Sequence, residues 1–282
     1  MLYSKNDMKT KLDNNLFKIK KKFGQNFITD VNIINKIVDS SNVDKNTLVI
    51  EIGPGIGSLT YKLVNKAKFV LCYEIDNDVE PILKDNLKEY DNYEIIFDDF
   101  LKRDVLSDLK KYKYDKLMVI ANLPYYITTP IIMKIIDDKI NPDKMVFMVQ
   151  KEVGDRFKAL PGTKDYNSLS VYLNYYFDIK KVMDVSRNVF MPVPNVDSIV
   201  VCFDKKQELM YVDNYGIFFK LVRDSFKFKR KTLKNNLKGY DLEVIDKVLN
   251  KNVHNLSDRA EVIPIEVFVE IANELSYTQK CS

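Results

Sequence analysis

The tetrapeptide Asn122-Leu123-Pro124-Tyr125 combines groups that could activate an amine with an aromatic ring. An adenine amino group is a poor nucleophile because its lone pair is delocalised into the ring. The Asn122 side-chain oxygen and the backbone carbonyl of Leu123 or Pro124 could accept its two N–H bonds and aim the lone pair at a methyl group. Pro124 stiffens the turn, and Tyr125 offers a face on which a flipped-out base can stack. The motif predicts methyl transfer to adenine; an ordinary Asn-x-Pro turn is the alternative.

A glycine-rich segment, residues 51–57, follows an apolar run and precedes a helical pattern. Gly53 and Gly55 would let a cofactor approach the backbone as the chain turns from strand to helix. Glu74 ends the next apolar run and could accept hydrogen bonds from both hydroxyls of a ribose. These features fit an adenosyl cofactor, a dinucleotide or a structural turn. The third glycine comes one residue earlier than in G-x-G-x-x-G, which favours S-adenosylmethionine over a dinucleotide.

Asp99 follows a third apolar run, where its carboxylate could accept a hydrogen bond from the exocyclic amine of a cofactor adenine. A helix N-cap is the alternative role, and adjacent Asp98 leaves the assignment open by one position. The chain has a single histidine, His254, and three scattered cysteines, so we predict no metal site. Displacement on a methyl group that a sulfonium already activates depends on positioning and needs no histidine base.

Short apolar runs alternate with amphipathic stretches through the first two thirds of the chain. Five of the runs lie at 48–52, 69–73, 93–97, 117–120 and 145–149. This spacing predicts an α/β fold with a mostly parallel, Rossmann-like sheet. Two further strands, near 172–182 and 196–203, predict an antiparallel hairpin at its edge. We predict a flexible basic leader over residues 1–22, a cofactor-binding domain over 23–205 and a small all-helical domain over 206–282.

Positive charge is concentrated in two segments. Lys5–Lys22 holds seven lysines against two aspartates, and Lys220–Lys238 holds eight basic residues against Asp224 alone. Such segments predict a polyanionic partner, although solvated lysine surfaces are the alternative. No apolar run reaches the roughly 20 residues that span a bilayer, and the basic N-terminus has no apolar core typical of a secretory signal. We therefore expect a cytoplasmic protein with no membrane partner.

The sequence from Lys21 on resembles the KsgA family of 16S ribosomal RNA adenine N6-dimethyltransferases. Lys22–Ile28 is similar to the family's N-terminal motif, in which Asn26 and Ile28 would touch the cofactor. By the same resemblance, further cofactor contacts are Gly53, Glu74, Asp99 and Asn122. Phe190–Ser198 is another similar stretch, in which Phe190 would cover the other face of the target base. The resemblance implies a class I S-adenosylmethionine-dependent fold and no metal.

The resemblance also implies a substrate: two adjacent adenosines in the 3′-terminal hairpin loop of 16S ribosomal RNA, dimethylated at N6 in an assembling small subunit by a monomeric enzyme. Phe228–Leu237 is similar to the family's helical-domain signature. The RNA contacts within this basic helix would be Lys229, Arg230, Lys231 and Lys234. That signature and Val196–Ser198 favour this family over the macrolide-resistance enzymes that methylate 23S ribosomal RNA. A nicotinamide-dependent oxidoreductase and a non-catalytic ribosome-assembly factor stay open as two further hypotheses.

Overall fold

A computed structural model of the chain describes residues 5–20 and 23–281. The chain forms two compact units. The first holds the residues up to Gly154 together with Lys180–Lys205, and the second holds Asp155–Ile179 and the residues from Lys206 onward. The division after residue 205 coincides with the predicted domain boundary. The prediction placed Asp155–Ile179 in the first domain, but this segment belongs to the second unit with the C-terminal helices.

Helix α8 (Ser168–Tyr176) explains this placement. The Tyr172 hydroxyl donates to the Phe219 carbonyl at 2.7 Å, and the Tyr175 hydroxyl donates to the Met210 carbonyl at 2.7 Å. Asn167 caps the helix through hydrogen bonds in both directions with residue 170. The predicted strand near 172–182 is therefore wrong in its first half, since the strand that follows begins only at residue 177.

Seven strands form the central sheet of the chain. They are β2 (Thr47–Ile52), β3 (Phe69–Glu74), β4 (Tyr93–Phe97), β5 (Lys116–Asn122), β6 (Lys144–Gln150), β7 (Phe177–Val185) and β9 (Ser198–Lys205). The strand order is β4-β3-β2-β5-β6-β9-β7, with the first five strands parallel and β9 antiparallel to β6. The predicted mostly parallel sheet is confirmed, and the two late strands lie at its edge.

Burial of the strands explains the parallel arrangement. All six residues of β2 are buried, as expected for a strand whose two faces are both covered by helices. The first unit contains the helices α2 (Val31–Ser41), α3 (Ser58–Lys66), α4 (Glu80–Leu87), α5 (Val105–Leu109) and α6 (Thr128–Asp137). Helix α7 (Lys151–Phe157) begins in the first unit and ends in the second. Parallel strands require such crossovers, and their carboxyl ends consequently meet at one edge of the sheet.

The N-terminal segment is folded, which corrects the predicted flexible leader. Helix α1 (Lys5–Asn14) buries Met8 and Leu12 in a cluster with Ile56 of the glycine-rich turn. The two residues are four positions apart and so share one face of the helix. Residues 1–4 of the predicted leader, together with Lys21 and Lys22 at its end, lie outside the described residues.

A second, two-stranded sheet lies beside this segment. Strand β1 (Phe27–Ile28) pairs antiparallel with β8 (Phe190–Met191), so that Phe27 lies opposite Met191 and Ile28 opposite Phe190. The pairing brings together two stretches that belong to family-like motifs, Phe27–Ile28 and Phe190–Met191, although they lie near opposite ends of the predicted first domain.

Helices make up the second unit from residue 206 onward, and no strand begins there among the described residues. They are α9 (Tyr215–Ser225), α10 (Leu233–Asn236), α11 (Leu242–Lys251) and α12 (Ile265–Cys281). The prediction of a helical C-terminal part is confirmed. Among the residues that the structure describes, no helix has both the length and the apolar character needed to cross a membrane.

Candidate active site

One cavity in the first unit collects the predicted cofactor residues. Strands β2, β3 and β5 end at its wall, and the segment that follows β4 completes it. Its lining includes all seven of these residues: Asn26, Ile28, Gly53, Gly55, Glu74, Asp99 and Asn122. The carboxyl edge of a parallel sheet is the usual place for a ligand, and here the topology brings together residues that are far apart in sequence.

The glycine-rich turn leaves open space at its backbone. Gly53, Gly55 and Gly57 have φ angles of 71°, 55° and 84°, a region that favours glycine. A methyl group added at Gly53 would meet no atom within 4 Å, whereas one at Gly55 would lie 3.0 Å from the Phe27 ring. The cavity therefore reaches the main chain at Gly53, as a site for a closely held cofactor requires.

Glu74 is only 6% exposed, and two backbone N–H groups hold its carboxylate. One oxygen accepts from Gly55 N–H at 2.9 Å and the other accepts from Asp76 N–H at 2.9 Å. Burial raises the pKa of Glu74, and these hydrogen bonds oppose that shift. Each carboxylate oxygen retains acceptor capacity, so two neighbouring hydroxyls could bind there.

The N-terminal segment is tied to the same side of the cavity through Asp76, which is 2% exposed. Its carboxylate accepts from Lys20 Nζ at 2.5 Å and from Gln25 Nε2 at 2.6 Å. Gln25 in turn accepts from the Lys20 backbone N–H at 2.8 Å. Lys20 and Gln25 are thereby linked to the loop that positions Glu74.

The two adjacent aspartates both line the cavity but have different partners. Asp98 accepts from the Asp99 backbone N–H at 2.8 Å with one oxygen and pairs with Arg103 at 3.4 Å with the other. Asp99 accepts from Leu101 N–H at 3.0 Å, and its second oxygen is 3.7 Å from Lys102 Nζ. Asp99 thus keeps the freer oxygen. No group of acidic, His or Cys side chains that could hold a metal occurs among the described residues.

Two hydrogen-bond acceptors at the end of β5 have no partner among the described residues. The Asn122 side-chain amide donates to the Asn26 carbonyl at 3.0 Å, and among the described residues Asn122 Oδ1 has no partner. The Leu123 carbonyl likewise has no partner in the described chain, whereas the Pro124 carbonyl accepts from Ile127 N–H at 3.2 Å and from the Thr128 hydroxyl at 3.3 Å. Of the two backbone carbonyls that the sequence left open, that of Leu123 is the one without a partner among the described residues, whereas Pro124 is the one of these two residues that lines the cavity.

The aromatic residues lie differently from the prediction. Tyr125 is half-buried with its hydroxyl 2.7 Å from Ser198 Oγ, and it is not among the described residues that line the cavity. Phe190 is 0% exposed and packs in the hydrophobic core, so its ring cannot cover a base in this arrangement. Tyr126 does line the cavity and is 57% exposed. The sequence analysis missed it, although a second aromatic residue directly after the tetrapeptide is visible in the sequence.

The predicted RNA contacts lie in the second unit. Residues 226–232 form a turn, and only Leu233–Asn236 is helical, which corrects the predicted basic helix. Lys229 Nζ donates to the Lys164 carbonyl at 2.8 Å. The remaining three cations are exposed and have no ion-pair partner among the described residues: Arg230, Lys231 and Lys234.

The chain is similar to known proteins along most of its length. The family model described as "Ribosomal RNA adenine dimethylase" matches residues 16–276. A protein of Staphylococcus haemolyticus named "Ribosomal RNA small subunit methyltransferase A" is 46% identical over 275 residues, which cover 94% of this chain and 93% of the relative. A protein of Staphylococcus epidermidis with the same name is 50% identical over 232 residues, 81% of this chain and 78% of the relative.

Two solved structures resemble the fold. A dimethyladenosine transferase from Plasmodium falciparum superposes with a TM-score of 0.72 at 26% identity, covering 90% of this chain and 98% of that one. The 23S rRNA methyltransferase ErmE superposes with a TM-score of 0.65 at 22% identity, covering 89% of this chain and 99% of its own. At that identity the second likeness concerns the fold alone.

Proposed function

The chain belongs to the ribosomal RNA adenine dimethylase family, and we propose that it dimethylates N6 of two adjacent adenosines in the 3′-terminal hairpin loop of 16S ribosomal RNA. Membership makes it an S-adenosylmethionine-dependent methyltransferase. One observation carries the proposed mechanism: Asn122 Oδ1 and the Leu123 carbonyl are adjacent acceptors with no partner among the described residues. An adenine amino group has two N–H bonds to donate.

The cavity fits S-adenosylmethionine by the chemistry of its donors and acceptors. Glu74 would accept from the ribose hydroxyls, and the open backbone at Gly53 would receive the cofactor closely. Asp99 would accept from the amine of the cofactor adenine, because Arg103 already engages Asp98. Asn26 and Ile28 would complete the contacts, as both line the same cavity.

When bound, S-adenosylmethionine supplies a methyl group that its sulfonium activates. The task of the protein is to orient the attacking nitrogen. In the first transfer, Asn122 Oδ1 and the Leu123 carbonyl would hold the two N–H bonds, so that the amine turns its lone pair away from the ring and toward the methyl group. In the second transfer, the monomethylated amine has one N–H bond, which one of these acceptors would hold. The exposed ring of Tyr126 provides a face for the flipped base. As the nitrogen–carbon bond forms, the methyl–sulfur bond breaks and the sulfur leaves as a neutral thioether. The proton of the methylated amine passes to water, and no side-chain base is required.

Relatives named for the small subunit favour that subunit as the substrate. They are 46% and 50% identical to this chain, whereas the 23S enzyme shares 22% and carries the fold alone. A non-catalytic assembly factor would not need the cofactor contacts, yet all seven line one cavity. We propose that Lys229, Arg230, Lys231 and Lys234 contact the RNA phosphates. Action in the cytoplasm as a monomer completes the proposal.

Transfer of labelled methyl to small subunits that lack the modification, with large-subunit RNA in parallel, tests the substrate. We expect dimethyladenosine in the small subunit only. Label confined to large-subunit RNA would assign the resistance activity, and label in neither would favour the assembly factor.

Asn122→Ala tests the mechanism. It removes one of the two acceptors, and loss of one such preorganised group lowers kcat by roughly 100- to 1000-fold. Binding of the small subunit should persist, because the proposed phosphate contacts are unchanged. Asn65→Ala is the matched control, since it removes an exposed amide of the same unit that is not among the described cavity residues. Undiminished turnover of Asn122→Ala would refute the proposed activation of the amine.

A further inference from the structure

Phe228 exposes an aromatic ring in the most basic part of the second unit. The ring is 56% exposed and lies in the turn at residues 226–232, which connects α9 to α10. Burial of a phenylalanine ring normally stabilises a fold, but the exposed part of this ring contributes no such stabilisation. The exposed ring is therefore a candidate contact for something outside the chain.

Hydrogen bonds hold the turn in one conformation. The Phe228 carbonyl accepts from Lys231 N–H at 2.9 Å and from the Asn236 side-chain amide at 3.3 Å. The same amide donates to the Ser225 carbonyl at 2.6 Å, where α9 ends. Leu233 N–H, at the start of α10, donates to the Asp258 carbonyl at 2.8 Å. The backbone that carries the ring is fixed before any partner binds, which lowers the entropic cost of binding.

One cation lies near the ring, and two more follow it in the turn. Lys227 Nζ lies 5.6 Å from the ring centroid. Arg230 and Lys231 are exposed and have no ion-pair partner among the described residues. By contrast, Lys220 of the preceding helix α9 has an ion-pair partner, since its Nζ lies 2.7 Å from an Asp224 carboxylate oxygen. An exposed ring among unpaired cations matches the combination that binds single-stranded nucleic acid, where bases stack on aromatic residues and phosphates meet lysine and arginine.

We propose that Phe228 stacks on an unpaired base of the RNA substrate while the neighbouring cations bind the adjacent phosphates. The inference rests on the proposed function, which supplies the RNA. A protein partner fits less well, because lysine is depleted at the core of protein interfaces. This contact would bind the face of a base, whereas the contacts proposed above bind the phosphates of the RNA backbone.

Three substitutions at one position separate stacking from simple apolar contact. Phe228→Ala removes the ring, Phe228→Leu keeps an apolar side chain without a π face, and Phe228→Trp enlarges the π face. We expect the Ala and Leu variants to bind protein-free 16S ribosomal RNA about 5- to 100-fold more weakly, with Trp close to wild type. The slope of affinity against salt should stay unchanged, since no phosphate contact is lost.

Tyr277→Ala is the matched control, because it truncates a 67% exposed aromatic residue elsewhere in the second unit and should bind as wild type. Wild-type affinity in the Leu variant, or weakening seen with whole subunits but not with protein-free RNA, would overturn the stacking proposal in favour of an apolar or protein contact. Unchanged affinity in the Ala variant would also overturn it. Failure of the proposed function is distinguishable, since wild type itself would then transfer no methyl to small subunits.

Discussion

Two glycines of the same turn should separate cofactor binding from stability. A methyl group at Gly53 would meet no atom within 4 Å and would enter the cavity, whereas one at Gly57 would lie 2.6 Å from Leu83 Cδ1. Gly57 is not among the described residues that line the cavity. Gly53→Ala should therefore impair the cofactor site, and Gly57→Ala should impair the fold.

The expected magnitudes follow from φ and from the space available. Both residues have positive φ, so alanine at either position costs about 1–2 kcal/mol of unfolding free energy. Gly57→Ala adds overpacking against Leu83, which is fully buried, and this costs about 1–3 kcal/mol more. Gly53→Ala adds no overpacking cost, because its methyl group would meet no atom within 4 Å. Its methyl group should instead weaken cofactor binding by about tenfold or more, the equivalent of 1.4 kcal/mol.

Urea unfolding without cofactor and calorimetric titration with S-adenosylmethionine measure the two effects separately. We expect Gly53→Ala to lose only about 1–2 kcal/mol of stability but to bind the cofactor weakly, and Gly57→Ala to lose about 2–5 kcal/mol but to bind the cofactor normally. Normal binding by Gly53→Ala would refute the close approach of the cofactor to the backbone. Equal destabilisation by both variants would refute the steric argument at Leu83.

Two further predictions concern buried residues near the cavity. Burial raises the pKa of Glu51 to about 8, so its contribution to stability is present at low pH and is lost as the pH rises through that value. Glu51→Gln, which cannot ionise, should gain stability relative to wild type as the pH rises from about 4.5 to about 8 in urea unfolding; a difference independent of pH would contradict the shift. Met8→Ala should lower the unfolding free energy by about 2–5 kcal/mol and weaken cofactor binding, because Met8 is fully buried against residues that line the cavity. Exposed Lys9→Ala on the same helix is its control, and equal effects of both variants would argue against a packed helix.

The parts of the site that the sequence predicts are those set by local pattern. Near-continuous apolar runs indicate buried parallel strands, and a parallel sheet places their carboxyl ends at one edge. Glu74 and Asn122 are the last residues of their strands, so their convergence follows from topology once the strands are recognised. Gly53 follows in the same way, because a turn from strand to helix under a ligand needs glycine.

Features set by long-range contact could not be predicted. Helix α1 has only two apolar residues on a lysine-rich segment, which is typical of a solvated leader. Met8 and Leu12 are buried because they pack in a cluster with residues from distant parts of the chain, which include Phe27, Ile56 and Ile82. Helix α8 is apolar on several faces, and tyrosine has a high β-propensity, so its sequence is compatible with a strand. Its tertiary contacts favour the helix instead.

The position of Phe190 changes how its motif acts on the site. The sequence placed this ring against the target base, but the structure buries it and pairs its backbone with Ile28 in the two-stranded sheet. Asn26 directly precedes that sheet, and its carbonyl fixes the side-chain amide of Asn122 at 3.0 Å. The free orientation of Asn122 Oδ1 therefore depends on a strand pairing between distant parts of the chain. We therefore expect Phe190 to act on the site through this strand pairing, as a positioning residue within the core rather than as a base contact.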